Sequence, residues 1–264
     1  PVTNSVIGNI PMVDDPQELV ATPDGSTVYV IVGTDISVID VKSNTEINHL
    51  YGVSGTSSTV GMFQDLVLSP DAQRLYLYYR LFPSPDMAVK VFDISTPASP
   101  VLVNTITSPL FNGCTGPLGA GIHPSGDKLY LVCRGMTNSG IDQFFVMDVA
   151  TGQVTQTATL PKDTSNYSFI NQLYVNQDGS RVYFAYDNTD GSSVMVFDGA
   201  TGSYLGNITL PTKSMPRDMV ISADGSRMYV VDQGKGGHVI DMTAGPYGTY
   251  MLTMPVNAAH GRVF

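Results

Sequence analysis

Positive charge is scarce in this chain. Its 264 residues carry 13 Lys and Arg against 23 Asp and Glu, a formal net charge of −10. A surface of that sign repels phosphate, which argues against nucleic acid and against an anionic membrane as partners. Long apolar runs are missing as well. The uninterrupted hydrophobic stretches are strand-sized, so no transmembrane segment is expected. Helical periodicity is absent throughout. Only two cysteines occur, Cys114 and Cys133. Antiparallel pairing around the turn at His123–Lys128 would bring them close, so a disulfide is expected, against the alternative of two buried thiols.

Motifs that carry chemistry are also missing. There is no G-x-S-x-G elbow, no phosphate-binding Gly loop, and no H-x-x-x-H pair or Cys cluster suited to zinc. The histidines His49, His123, His238 and His260 fall at unrelated places, and His123, in a His-Pro turn, is given a structural role. Asp187-Asn188-Thr189-Asp190-Gly191 has the acidity of a calcium loop without its alternating ligands or closing Glu, and reads as a polar turn. No metal site or cofactor is predicted from these motifs. The 12 methionines are scattered, which suits core filling.

What is present is one phrase written five times: ATPDGSTVYV (21–30), LSPDAQRLYL (68–77), HPSGDKLYLV (123–132), NQDGSRVYFA (176–185) and SADGSRMYVV (222–231). The tyrosines Tyr29, Tyr76, Tyr130, Tyr183 and Tyr229 stand 47, 54, 53 and 46 residues apart. Repetition at such a period marks one supersecondary unit stacked on copies of itself. In the first copy Leu19–Ala21 is a strand (A). Asp24-Gly25 is expected to supply the angles of a two-residue hairpin, and Thr27–Val32 is a β-branched strand (B). Ile36–Asp40 (C) and Glu46–Leu50 (D) complete the unit. Strand C ends on Asp in every copy: Asp40, Asp93, Asp148, Asp198 and Asp241. Four short antiparallel strands per roughly 50 residues is the blade of a β-propeller. The expected fold is therefore all-β, one propeller domain over 1–264, with complete blades at about 16–60, 63–107, 117–160, 170–210 and 216–255.

The phrase PDGSTVYVIVGTDISVIDVKSNTEI resembles the YVTN-type propeller repeat, and VKVFDISTPASPVLV is similar to the related LVIVD repeat. The resemblance covers nearly the whole chain and implies the fold. Such repeats occur in surface-layer proteins, in large subunits of quinoprotein amine dehydrogenases and in sugar lactonases, so activity has to be argued from a site.

Residues 4–10 match a strand D and 260–264 the start of a strand A, so a partial sixth blade shared by the two termini is expected. Three arrangements are compatible with its missing middle: a six-bladed ring lacking residues, a fragment of a larger ring, or strands donated by a neighbouring copy. The chain opens PVTNSVIGN, without the basic start of a signal peptide, and a Pro start reads as processing or trimming. Few lysines, the cysteine pair and two glycan-acceptor tripeptides, at Asn166 and Asn207, point to an extracytoplasmic location.

The long connections (52–62, 79–87, 108–116, 134–141 and 161–169) are all D-to-A or B-to-C, which lie at the same end of a blade. Insertions concentrated at one end mark a binding face, here with Tyr51, Phe63, Tyr79, Phe82, Phe111 and Tyr167 in or beside it. The expected partner there is a protein or a glycan. At the mouth of the channel on that face the aligned starts of strand A are Glu18, Asp65, Gln172, Asp218 and Arg262. Such a ring either holds a cation or an amine-bearing ligand or is a hydrated channel lining. Two functions follow: a non-catalytic binding or structural module, or an enzyme or enzyme subunit. For the second, the lactonase resemblance implies an acid and an Arg at the mouth, Glu18 or Asp218 with Arg262. The dehydrogenase resemblance implies a scaffold for a quinone-bearing subunit.

Overall fold

The computed structural model of the chain describes residues 6, 8–53, 64–80, 87–111, 114–135, 142–160, 173–186, 192–212, 214–233 and 236–254. Among them are twenty strands, one 3₁₀ turn (Pro109–Phe111) and no α-helix. The strands form five four-stranded antiparallel sheets, each pairing consecutive strands in order. The chain divides into two compact units, Pro1–Thr107 and Ser108–Phe264.

The first unit holds two blades. Blade 1 is β1 (Pro16–Ala21), β2 (Thr27–Val32), β3 (Asp35–Asp40) and β4 (Thr45–Leu50). Blade 2 is β5 (Gln64–Leu68), β6 (Arg74–Arg80), β7 (Met87–Asp93) and β8 (Val101–Thr107). The second unit holds three. Blade 3 is β9 (Cys114–Ile122), β10 (Lys128–Gly135), β11 (Gln143–Asp148) and β12 (Val154–Thr159). Blade 4 is β13 (Leu173–Val175), β14 (Arg181–Tyr186), β15 (Ser193–Asp198) and β16 (Tyr204–Thr209). Blade 5 is β17 (Pro216–Ile221), β18 (Arg227–Asp232), β19 (Gly236–Asp241) and β20 (Thr249–Met254). No sixth blade is seen among the described residues. Residues 8–10 carry no strand, and 4, 5, 7 and 260–264 lie outside the described set.

Each part of the repeated phrase has a physical task. The turn is not the two-residue hairpin expected from Asp-Gly. Thr22 N–H donates to the Thr27 carbonyl (2.9 Å) and Gly25 N–H to the Thr22 carbonyl (2.8 Å), so the loop has four residues, 23–26. Pro23 locks φ near −65° and so excludes the primed turns, which need positive φ at that end. The positive φ falls on Gly25 instead, at +68°. Asp24 accepts from the Thr22 hydroxyl (2.6 Å) and from Ser26 N–H (3.0 Å), closing the turn. The Asp ending each third strand caps the next turn: Asp148 accepts from Thr151 N–H and Oγ1, both 2.7 Å, and Asp198 and Asp241 do the same with Thr201 and Thr243.

In blades 1 and 3 the repeated Tyr is a fastener between blades. Tyr29 donates to the Pro97 carbonyl of blade 2 (3.0 Å), and Tyr130 to the Gly199 carbonyl of blade 4 (2.6 Å). Both tyrosines are fully buried. The second and third strands are buried almost along their length, because a blade packs on both faces, while the fourth strands are largely exposed. Full burial of each large side chain is worth about 1.5–3 kcal/mol, so the seams between blades carry most of the stabilisation.

The expected disulfide is present: Cys114 at the start of β9 is bonded to Cys133 in β10, with Cα atoms 5.6 Å apart. The two stand 19 positions apart in the sequence, for which loop closure is worth about 3 kcal/mol. Asn207 lies exposed on β16, accessible to modification, while Asn166 is outside the described residues. No described helix is long and apolar enough to cross a membrane.

Candidate functional site

Of the five residues expected at the channel mouth, three are described. Glu18 in β1, Asp65 in β5 and Asp218 in β17 are all buried acids on the first strand of a blade. Glu18 accepts from the N–H of Leu19 (3.2 Å) and Asp218 from that of Met219 (2.8 Å). The ladder slips beside both, between Pro16 and Leu19 and between Pro216 and Asp218, and such bulges re-aim side chains. Asp65 pairs across the sheet with Tyr78, whose hydroxyl is pushed far up, first by burial and then by the Asp65 charge. Gln172 and Arg262 lie outside the described residues, as does Asp187–Gly191.

The aromatic surface expected beside the long connections is only partly available. Tyr51 is exposed, with its ring 4.3 Å from that of His49. Tyr79 and Phe111 are buried instead, and Phe111 packs edge-on against Phe145. Tyr79, near the end of β6, and Phe111, in the 3₁₀ turn, both stand beside a long connection, which hid the fact that both belong to the core. Phe63, Phe82 and Tyr167 are outside the described residues.

Folding assembles a cluster that the spacing of the sequence did not announce. Ser214, Asp232 and His238 come together in blade 5, each no more than 1% exposed. In a hydrolytic triad the acid holds one ring nitrogen and the nucleophile faces the other. Here Asp232 Oδ2 (3.0 Å) and Ser214 Oγ (3.1 Å) both reach Nε2 of His238. Nδ1 faces Thr253 Oγ1 (3.1 Å), which lies 2.6 Å from the Tyr250 hydroxyl. Asp232 also accepts from Met215 N–H at 2.7 Å, and Ser192 donates to the Ser214 carbonyl. The cluster ties the approach to β17, the end of β18, β19 and β20 into one network.

A second histidine is held differently. His49 Nδ1 lies 2.6 Å from Glu46 and Nε2 3.0 Å from Asp35. Burial alone would weaken its hold on a proton, but the hydrogen bonds it donates to Asp35 and Glu46 outweigh it and raise the pKa. No three His, Cys, Asp or Glu among the described residues are grouped to hold a metal ion.

Between blades 4 and 5 there is a cavity of about 280 Å³. Its walls include the rings of Tyr174 and Tyr183, the side chain of Met242, and the polar turn residues Asn176, Asp178 and Ser222. Asn176 keeps to its own turn, donating to Ser180 Oγ (3.1 Å) and accepting from Arg181 N–H (2.8 Å). Gln177, also in the wall, bridges the blades by donating to the Ala223 carbonyl (2.6 Å). Asp178 stays ionised, its pKa lowered first by the Ser180 hydroxyl and then by Ser180 N–H (2.8 Å). Tyr183 is 4% exposed, and burial raises the pKa of its hydroxyl. The cavity lies at the end of blades 4 and 5 where strands A and B turn. The five-fold phrase marked this segment, but only as a turn.

No protein-family profile matches the chain, and no curated protein sequence does either. Solved structures do match. A chain of Kuenenia stuttgartiensis hydrazine synthase superposes with a TM-score of 0.72, covering 90% of this chain and 68% of that one at 19% identity. A likeness at that identity shows the β-propeller fold and not an activity.

Proposed function

We propose that this chain is a non-catalytic, extracytoplasmic β-propeller that works as a binding module. The cavity between blades 4 and 5 carries the reading: it joins aromatic and apolar walls to a few polar groups, the usual make-up of a small-ligand site. The closed wiring of Ser214, Asp232 and His238 supports binding over turnover, because serine and acid compete for one nitrogen. The disulfide supports an oxidising compartment. The long connections are assigned to contact with a protein or glycan partner.

The test is a turnover screen of the purified full chain against ester, lactone and amine substrates, run beside a thermal-shift screen of small polar ligands. Ligand-dependent rises in melting temperature with no product are expected. Turnover that disappears in Ser214→Ala would sink the reading. A second reading, a scaffold chain within an enzyme, is favoured by the likeness to a hydrazine synthase chain. It requires the chain to co-purify with a catalytic subunit, visible by its absorbance if that subunit carries a quinone or haem.

A further inference from the structure

We propose that the cavity between blades 4 and 5 binds a single neutral pyranose unit, either a free monosaccharide or the end residue of a glycan chain. The inference rests on the binding-module reading and gives it a place and a ligand class.

The cavity exists because this seam lacks what fills the one before it. At the preceding seam, between blades 3 and 4, His123 stands at the first turn position and its ring lies on Gly179 of the next blade. A Cβ on Gly179 would come within 1.9 Å of His123 Nε2. Across the following seam the equivalent residues are Asn176 and Gly225. Asn176 is shorter and bonded to its own turn, and a Cβ on Gly225 would meet nothing within 4 Å. The two glycines have the same backbone, with φ of +70° and +71°, so the difference lies in what faces them.

The fastener also changes. Tyr130 donates to the carbonyl of Gly199, the residue after Asp198. Met242 takes the place of Gly199 in blade 5, and the same backbone bond identifies both positions: Gly199 N–H to Ser180 O and Met242 N–H to Ser226 O, each 3.0 Å. Tyr183, the counterpart of Tyr130, makes no hydrogen bond among the described residues and lines the cavity. A phenol 4% exposed and without a partner leaves a donor ready for a ligand.

Size and chemistry narrow that ligand. About 280 Å³ is just below the usual range for drug-sized ligands, which suits one hexose and excludes a dinucleotide. Among the described residues no Lys or Arg lines the cavity, and the ionised Asp178 repels anions, so phosphate, sulfate and carboxylate groups are disfavoured. Tyr174 and Tyr183 bring aromatic carbon to the lining, which suits the C–H surface of a sugar ring. Asp178 and the amide oxygen of Gln177 accept from ring hydroxyls, and the Tyr183 hydroxyl donates back.

The test uses the full chain and saturation-transfer NMR with methyl glycosides of glucose, galactose, mannose and N-acetylglucosamine. Oligosaccharides ending in the same residues separate a free sugar from a glycan end. At least one pyranoside is expected to bind. Asn176→His, which restores the filling of the preceding seam, abolishes that binding, and Tyr183→Phe weakens it about five- to tenfold. Silence of every pyranoside with the folded chain, or binding that survives Asn176→His and is unmoved in Tyr183→Phe, overturns the inference. If Asn176→His does not fold, Tyr183→Phe decides alone. Choline and a diamine form the competing panel. If they bind in place of sugars and Asn176→His removes that binding, the sugar class falls while the binding module stands. Hydrolysis of a bound glycoside would instead overturn the module reading itself.

Discussion

The seam between blades 3 and 4 and the seam between blades 4 and 5 are built from equivalent residues and end in opposite states. In the first, an imidazole fills the space over Gly179 and a Tyr hydroxyl closes on a carbonyl. In the second, an amide turns back on its own loop, Met242 replaces a glycine, and a cavity stays between the blades. Repetition supplies stability, since every copy buries the same kind of face on the next. A cavity stays where the filling of one seam is not carried to the next, and the two seams differ at two positions, His123 against Asn176 and Gly199 against Met242.

The sharpest way to break this comparison is to add one methyl group to each seam glycine. Gly179→Ala forces the His123 ring away from its seat and puts Cβ on a positive-φ backbone, and is expected to cost about 3 kcal/mol in urea unfolding. Gly225→Ala carries only the backbone penalty, about 1 kcal/mol. Equal losses would mean that the seams do not differ as described.

The fasteners provide the next contrast. Tyr130→Phe leaves the Gly199 carbonyl without its donor, and about 1–2 kcal/mol of stability is expected to go with it. Tyr183→Phe, with no bond to lose, is expected to stay within about 0.5 kcal/mol of the parent. A large loss there would show that the Tyr183 hydroxyl is already committed.

The smallest effect concerns the turn beside the cavity. The Asp224 carboxyl is held down to about 2, first by the Ser222 hydroxyl and then by Ser226 N–H and its hydroxyl. A depressed folded pKa contributes stability above the ordinary value of 3.8 that is lost as pH falls through about 2. Ser222→Ala is expected to move the carboxyl back toward 3.8 in an NMR titration and to shift acid unfolding to higher pH. An unmoved titration would assign the depression to Ser226 alone. The matching turn of blade 3 exchanges the two residues, with Ser125 donating to Asp127, so Ser125→Ala should raise the Asp127 pKa in parallel.

Much of the fold was legible because its determinants are local. Strand B was expected at Thr27–Val32 and is found there, since β-branched and aromatic residues between turn residues suffice to mark it. The turn itself was misjudged: Asp24-Gly25 signalled a two-residue hairpin, but Pro23 sets the sign of φ and lengthens the loop to four residues. Cys114 and Cys133 could be paired because a hairpin constrains its own ends. Tyr79 and Phe111 were expected as surface aromatics because connection length says nothing about which way the residues beside it pack.

The candidate site was far less visible. His123 and Asn176 align in the repeat, and nothing local distinguishes a ring that fills a seam from an amide that leaves one open. Ser214, Asp232, His238 and Thr253 stand on or beside different strands of blade 5 and meet through strand register. By itself, then, the amino-acid sequence determined the blade, its five repetitions and the disulfide, because each depends on neighbours within a few tens of residues. Only the tertiary structure decided which seam is filled and which hydroxyl is left over. The reason is physical: a cavity belongs to two blades at once, and its volume depends on side chains that the chain brings together only by folding.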